Sequence, residues 1–507
     1  MKRFYFGQNL DSLLQKGPGP ELSASVASQS VLDGWLYDDF DGSLEKKNYM
    51  LIGNQDQLYF MESEFAPRAI QQRGDLGFAD SISDPELQSR LDPILTLRRL
   101  LALEPLRIFK RSIHFVDLLH KTVVRMDAWS FRHPSGAFHV LQPTIMKGYE
   151  KPYQDLIGGL ERLDWQASHS FPLNSLVSTL HLALRSASKP KLPSLSGEQD
   201  ASHIVPRFGL YFLNLIRMNE WGVLEDYDTE FLHDLRVASR KSRSILKLLK
   251  KTVSPELVQE GEAFLKDIGK NTNELRDLDV YLLERERYLA MLKPERRPHL
   301  QPFFDGLQQR RTQVLQDVRR FLTSETYLQG CLRWKGLLGH VLDDADQDAE
   351  GDGPAETVSQ CAQQTIRKRY LKIRMRGLAI AASSQDEEYH QLRIECKKVR
   401  YLLDLFMPLY PEIIKTALKK LKSLQNLLGE FNDLSVQEDY FQRYCDTLQA
   451  DHPERDGILM AVGMLLNEFF HRKEELKTLF ENEFEGFLIA GDRLIAQIDP
   501  TRGETSD

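Results

Sequence analysis

Cysteine is scarce. The chain has four in 507 residues (Cys331, Cys361, Cys396 and Cys445), far apart and forming no C-x-x-C pair. That argues against a disulfide framework and a cysteine zinc site, and it fits a reducing compartment, so a cytoplasmic location is expected. Long apolar runs are missing too. No stretch reaches the roughly 18 apolar residues of a membrane span, and the opening MKRFYFGQNLDSLLQKG lacks the apolar core of a secretory signal. There is no overall excess of positive charge: 66 Lys and Arg stand against 74 Asp and Glu, for a net charge of −8. The molecule as a whole is therefore no generic polyanion binder, and any anion site must come from local clustering. Absent as well are G-x-x-x-x-G-K-[ST], G-x-S-x-G and H-E-x-x-H, which removes the usual signatures of a phosphate loop, a hydrolase elbow and a zincin helix.

What is present changes character near residue 190. Before it come short β-rich runs such as RFYF, NYMLIG, LYFMES, SIHFVDLL, KTVVRMDAWSF and AFHVLQPTI, punctuated by Gly, Pro, Asn and Asp. Two helical patterns lie among them, PELQSRLDPILTLRRLLAL and YQDLIGGLERLDWQ. The Ser- and Pro-rich stretch 186–202 reads as a linker. From about residue 203 onward the period is helical with few strand signals, and the acidic stretch 343–356 reads as a loop that divides this half.

The helical half repeats itself. HDLRVASRKSRSILKLL from residue 233 matches HQLRIECKKVRYLLDLF from residue 390, and ELRDLDV (274–280) matches EFNDLSV (430–436). Two ordered matches at nearly equal separation predict a duplicated unit of packed antiparallel helices. In the first copy His233, Arg236, Arg240, Arg243 and Lys247 fall within about an 80° arc of one helix. His390, Arg393, Lys397 and Arg400 repeat that stripe, whereas Asp404 replaces the last cation. Leu235, Ala238, Ser242, Ile245 and Leu249 form the opposite, apolar side, as do Leu392, Val399, Leu402 and Phe406 in the second copy. Further cations follow at helical spacing: Arg369, Lys372 and Arg376, then Lys415, Lys419 and Lys422.

A single charged stripe is most simply a solvated face. Two copies with few acids at pairing distance point instead to a groove for an anion. Arg would fork onto oxyanions and Lys would add point charge. Removing such cations is expected to relieve repulsion and leave folding intact. The repeated Asp277 and Asp433 could position groove cations or simply bridge helices.

The paired H-x-L-R-x-x-x-[RK]-[RK]-x-R segments, each followed by D-L-x-V, resemble the CHAD family, named for a histidine-containing α-helical domain. The resemblance covers about residues 203–497. It implies two four-helix bundles around a basic groove that binds inorganic polyphosphate, with no cofactor, through His233, Arg236, Arg240, Arg243, His390, Arg393, Lys397 and Arg400. Residues 1–185 resemble, in LDGWLYDDFDGSLEKKNYMLI and LQPTIMKGYEKPYQDLIGGLERL, the CYTH or triphosphate-tunnel family. That resemblance implies a β-barrel tunnel, with Lys110, Arg111 and Arg125 as candidates to line it. The family's E-x-E-x-K metal-binding strand is replaced here by KRFYFG, which carries no carboxylate.

The expected fold is therefore α+β. A β-rich CYTH-like domain (1–185) and a linker (186–202) precede a CHAD domain (203–507) with bundles at about 203–342 and 357–497. The expected function is polyphosphate binding without catalysis, with association with polyphosphate granules as a further expectation. One alternative is a triphosphatase or polyphosphatase whose metal site is rebuilt from Asp38, Asp39 and Asp41. The other is nucleic-acid binding through the same groove, disfavoured by the net acidity and by the lack of aromatics among the cations.

Overall fold

Alternating apolar residues fix the first half as a sheet. The structure, a computed structural model, describes residues 4–16, 22–182, 190–347, 356–381 and 384–498. It divides into two compact units, Met1–Lys189 and Pro190–Asp507. The first contains β1 (Phe4–Gly7), α1 (Leu10–Lys16), β2 (Ser23–Asp38), α2 (Ser43–Lys46), β3 (Tyr49–Gly53), β4 (Gln57–Glu62) and β5 (Arg68–Gln71). There follow α3 (Pro85–Leu95), β6 (Leu101–Val116), β7 (Thr122–His133), β8 (Gly136–Ile145), α4 (Glu150–Arg162), β9 (Gln166–Ser168) and α5 (Leu173–Leu180). The strands pair antiparallel in the order β5-β4-β3-β2-β6-β7-β8-β1-β9.

Period-2 alternation sends Leu106, Ile108, Trp129, Phe131, Phe138 and Val140 to one face, where α5 covers them. It sends Ile113, Phe115, Val124, Met126 and Leu141 to the other face, under α1 and α4. At the β3–β5 end of that second face, Leu51, Leu58 and Phe60 pack on Leu87, Leu91 and Leu95 of α3. Where the resemblance implied a basic tunnel, the described residues form a sheet with β5 and β9 as edges and an apolar layer against α5.

One helix–strand boundary differs from the sequence reading. PELQSRLDPILTLRRLLAL reads as one helix, yet α3 ends at Leu95 and β6 begins at Leu101. Asp84 caps α3 by accepting from Leu87 N at 2.8 Å. Thr96 then turns the chain with a φ of 49°, and Leu101 pairs with Asp38 of β2. Sheet pairing over the whole length of β6 outweighs the local helical propensity of its leucines.

The second unit is helical: α6 (Ile204–Leu224), α7 (Thr229–Leu248), α8 (Pro255–Leu283), α9 (Arg285–Ala290), α10 (Gln301–Leu322), α11 (Glu325–Gln347), α12 (Val358–Leu378), α13 (Asp386–Phe406), α14 (Pro411–Thr447) and α15 (Arg455–Ile498). Helices α6, α7, α8, α10 and α11 pack together, as do α12–α15. Asp228 starts α7 by accepting from Glu230 N at 3.0 Å and Phe231 N at 3.2 Å. Gln385 and Glu388 form a capping box on α13. Gly222 lets α6 meet α7, since a Cβ there would lie 2.0 Å from the Phe231 ring. The apolar backs are buried as the periodicity requires: Leu235, Ala238, Ser242 and Ile245 in α7, with Leu249 just past its end, and Leu392, Val399, Leu402 and Phe406 in α13. Residues 343–347, read from sequence as the start of a loop, continue α11, and 348–355 lie outside the described residues.

Candidate functional site

The two cation stripes lie on α7 and α13, and these helices pack against each other. Their midpoints meet: Arg240 of the first copy acts directly on Lys397 of the second. Burial, then the charges of Arg393 and Arg240, pull the Lys397 ammonium down to about 8, with Asp433 opposing and Arg400 assisting.

Equivalent residues are held differently in the two copies. Arg236 is only 8% exposed. Its Nη1 donates to Gly269 O at 3.2 Å and to Thr272 Oγ1 at 2.8 Å, and its Nη2 donates to Asn273 Oδ1 at 2.6 Å. Burial, then the nearby Arg240, lowers its pKa to about 10. Arg393 is half-buried and reaches Asp433 Oδ1 from Nη2 at 3.4 Å. His390 Nδ1 is hydrogen-bonded to Asn432 Oδ1, and Asn432 Nδ2 donates to Asp433 Oδ1 at 3.3 Å. In the first copy Asn273 Nδ2 donates to Asp277 Oδ2 at 3.3 Å. The two repeated aspartates thus sit beside the stripe arginines, one directly and one through an asparagine. His233 is half-buried on the same arc of α7. Among the described residues, the buried Nε–H groups of Arg236, Arg243, Arg376 and Arg393 have no acceptor.

Several other predicted cations are committed elsewhere. Lys247 pairs with Glu262 at 3.4 Å. Arg369, read from sequence as a groove cation, pairs with Glu395 at 3.3 Å. Lys372 also acts on that carboxylate. Glu395 lies about 160° around α13 from Arg393, so this pair of cations serves the α12–α13 interface and not the stripe. Arg400 is exposed, with Nη1 3.3 Å from Gln425 Oε1 and Nε 3.9 Å from Asp404.

On α14, Lys415, Lys419 and Lys422 are exposed and share a helix face with Asp433. Sequence reasoning missed their partners on α8. Lys266 and Lys270 are exposed on the face of Asp277, and Lys266 is the repeat counterpart of Lys422. Extending the D-L-x-V match three turns upstream would have found it. Arg276 was also missed: it acts on Arg236 and lies 3.7 Å from Glu230.

In the N-terminal unit the candidate cations do not converge. Lys110 pairs across the sheet with Trp129, and Arg125 shares that face, whereas Arg111 points to the other face and donates to Gln29 Oε1 at 2.9 Å. The three aspartates proposed for a rebuilt metal site build a loop. Asp38 accepts from Leu44 N at 2.9 Å and Glu45 N at 3.0 Å, Asp39 from Asp41 N at 2.8 Å and Ser43 N at 2.9 Å, and Asp41 binds Arg98 Nε at 2.7 Å. Among the described residues no group of three or more His, Cys, Asp or Glu is arranged to hold a metal.

Comparison with known proteins places the helical half. Residues 211–442 match the profile of the CHAD domain. The crystal structure of the CHAD domain from the plant Ricinus communis aligns at 23% identity with a TM-score of 0.48, over 58% of this chain and 95% of that one. PptA from Streptomyces chartreusis aligns at 12% identity with a TM-score of 0.40, over 57% of this chain and 100% of that one. No curated protein matches.

Proposed function

Residues 211–442 being a CHAD domain, we propose that the groove between α7 and α13 binds inorganic polyphosphate and does so without catalysis. The observation that carries the reading is the meeting of the two stripes at Arg240 and Lys397. Like charges gathered this way repel one another, and a linear polyanion removes that cost. Lys415, Lys419 and Lys422 on α14, with Lys266 and Lys270 on α8, extend the positive surface beyond the stripes. Regular spacing along helices suits a regular polymer of phosphates, and the absence of aromatics among these cations removes the stacking that single-stranded nucleic acid would use. Association with polyphosphate granules would follow from this binding.

The test is titration of the full chain with long-chain polyphosphate across a salt series without added metal. Affinity is expected to fall steeply with salt, because each neutralised phosphate releases counterions. Arg240→Ala combined with Lys397→Ala should lower affinity by about 100-fold, since a hydrogen bond to a charged group contributes roughly 1.5–3 kcal/mol. Single-stranded DNA should compete poorly. Binding that is independent of salt, that requires magnesium, or that survives the double substitution would overturn the proposal.

A further inference from the structure

The hairpin between β6 and β7 turns through Asp117, Leu118, Leu119, His120 and Lys121. Its apex carries two leucines where turn chemistry favours polar residues. Leu118 is 79% exposed and Leu119 73%, the highest values for large apolar side chains among the described residues. We propose that this tip inserts into the surface of a bilayer that contains anionic lipids.

The backbone of the turn is fastened by its other residues. Asp117 N donates to Lys121 O at 3.1 Å, and His120 N donates to Asp117 O at 3.0 Å. Asp117 Oδ1 accepts from Leu119 N and Lys121 N, both at 2.9 Å. His120 takes the left-handed conformation, with a φ of 56°, that closes a three-residue hairpin loop. The loop is therefore built by Asp117 and His120, and the leucine side chains are left in water. The adjoining chain widens the apolar surface. Val116 pairs with Thr122 and Val124 pairs with Ile145, so β8 ends within two residues of the start of β7, and Ile145 is 45% exposed.

Cations surround this tip. Lys121 follows it directly, and Lys147 and Lys151 follow Ile145, all three exposed. The acids in the same two segments are Asp117, engaged by the N–H groups of the turn, and Glu150 at the start of α4. Shape and charge together select the occupant. A protein partner would need a cleft fitted to two adjacent leucines, whereas a fluid interface accepts a convex apolar tip of any outline. Lysines at its base keep their stems along apolar surface and their ammonium groups among the headgroups, where anionic lipid attracts them. A free polyanion would leave the leucines in water. Two leucines and a few lysines give weak, reversible attachment, no firmer than that of a single acyl chain.

The test is co-sedimentation of the full chain with vesicles of phosphatidylcholine, alone or with about 30% phosphatidylserine. Binding is expected to the anionic vesicles and should be weaker by about tenfold or more on phosphatidylcholine alone. Leu118→Ser combined with Leu119→Ser keeps every charge, so its effect separates the tip from attraction by cationic helices elsewhere in the chain. It should weaken binding by about tenfold or more, the scale of one leucine taken out of water. The thermal midpoint should not change, because both side chains are exposed. Leu119→Trp adds a reporter whose emission, compared with the parent, should be quenched by brominated acyl chains. The proposal fails if nothing sediments at about 5 mM lipid, if the double serine variant binds as the parent does, if phosphatidylcholine alone binds equally well, or if the Leu119→Trp emission is not quenched.

Discussion

Lys397 and Arg236 are both stripe cations, and burial sets them different tasks. Lys397 has a pKa lowered to about 8 in the free protein, chiefly by burial and by Arg393 and Arg240. A polyphosphate chain would raise that value, so binding takes up a proton when the pH lies near or above 8. Affinity should therefore fall as pH rises through this range. Calorimetry at pH 8.5 in two buffers of different ionisation enthalpy should reveal the uptake, and Lys397→Arg should abolish it. The sign for folding is opposite. An unfolded lysine titrates near 10.4, so between about 8 and 10.4 the unfolded chain binds more protons. This residue's contribution to the stability of the free protein thus improves with rising pH across that window. Tighter binding at higher pH would contradict the placement of Lys397 among like charges. Arg236 behaves as a structural cation. Removing it leaves Thr272, Asn273 and the Gly269 carbonyl without their buried donor. Arg236→Ala should cost about 2–4 kcal/mol in urea unfolding, whereas Arg240→Ala, on an exposed residue, should leave stability within about 0.5 kcal/mol. Removing the charge of Arg236 is therefore expected to destabilise the protein and not to relieve repulsion.

Among elements, the two copies differ most in their last helical segment. In the second copy α15 runs unbroken for 44 residues. In the first, the equivalent path breaks between α10 and α11 at Thr323 and Ser324. Ser324 Oγ accepts from Tyr327 N at 3.3 Å and donates to Phe321 O at 2.7 Å, ending one helix and starting the next. In the second copy α15 continues with no such break. Ser324→Ala should cost about 1 kcal/mol of stability and leave polyphosphate affinity unchanged, measured by urea midpoint and titration on one preparation. Element type was most legible where burial imposes a period, as in α7, α13, β7 and β8. It was least legible in β2, whose residues 25–31 are exposed and so show no alternation. It was also obscured at the start of β6, where leucines that would suit a helix are drafted into the sheet.

At the scale of the whole molecule, a chain of net charge −8 concentrates positive charge on a few helix faces. The repeat, the apolar backs of α7 and α13, and the order of cations along each stripe were determined by sequence alone. They depend on rise and turn per residue, which are local properties of a helix. Which cations remain available was decided by the tertiary structure. Glu262 claims Lys247, Glu395 claims Arg369, and α8 claims Arg236, while Lys397 is set against Arg240. Each of these outcomes depends on side chains from different helices, and their separation follows from packing, which no spacing along one helix can specify.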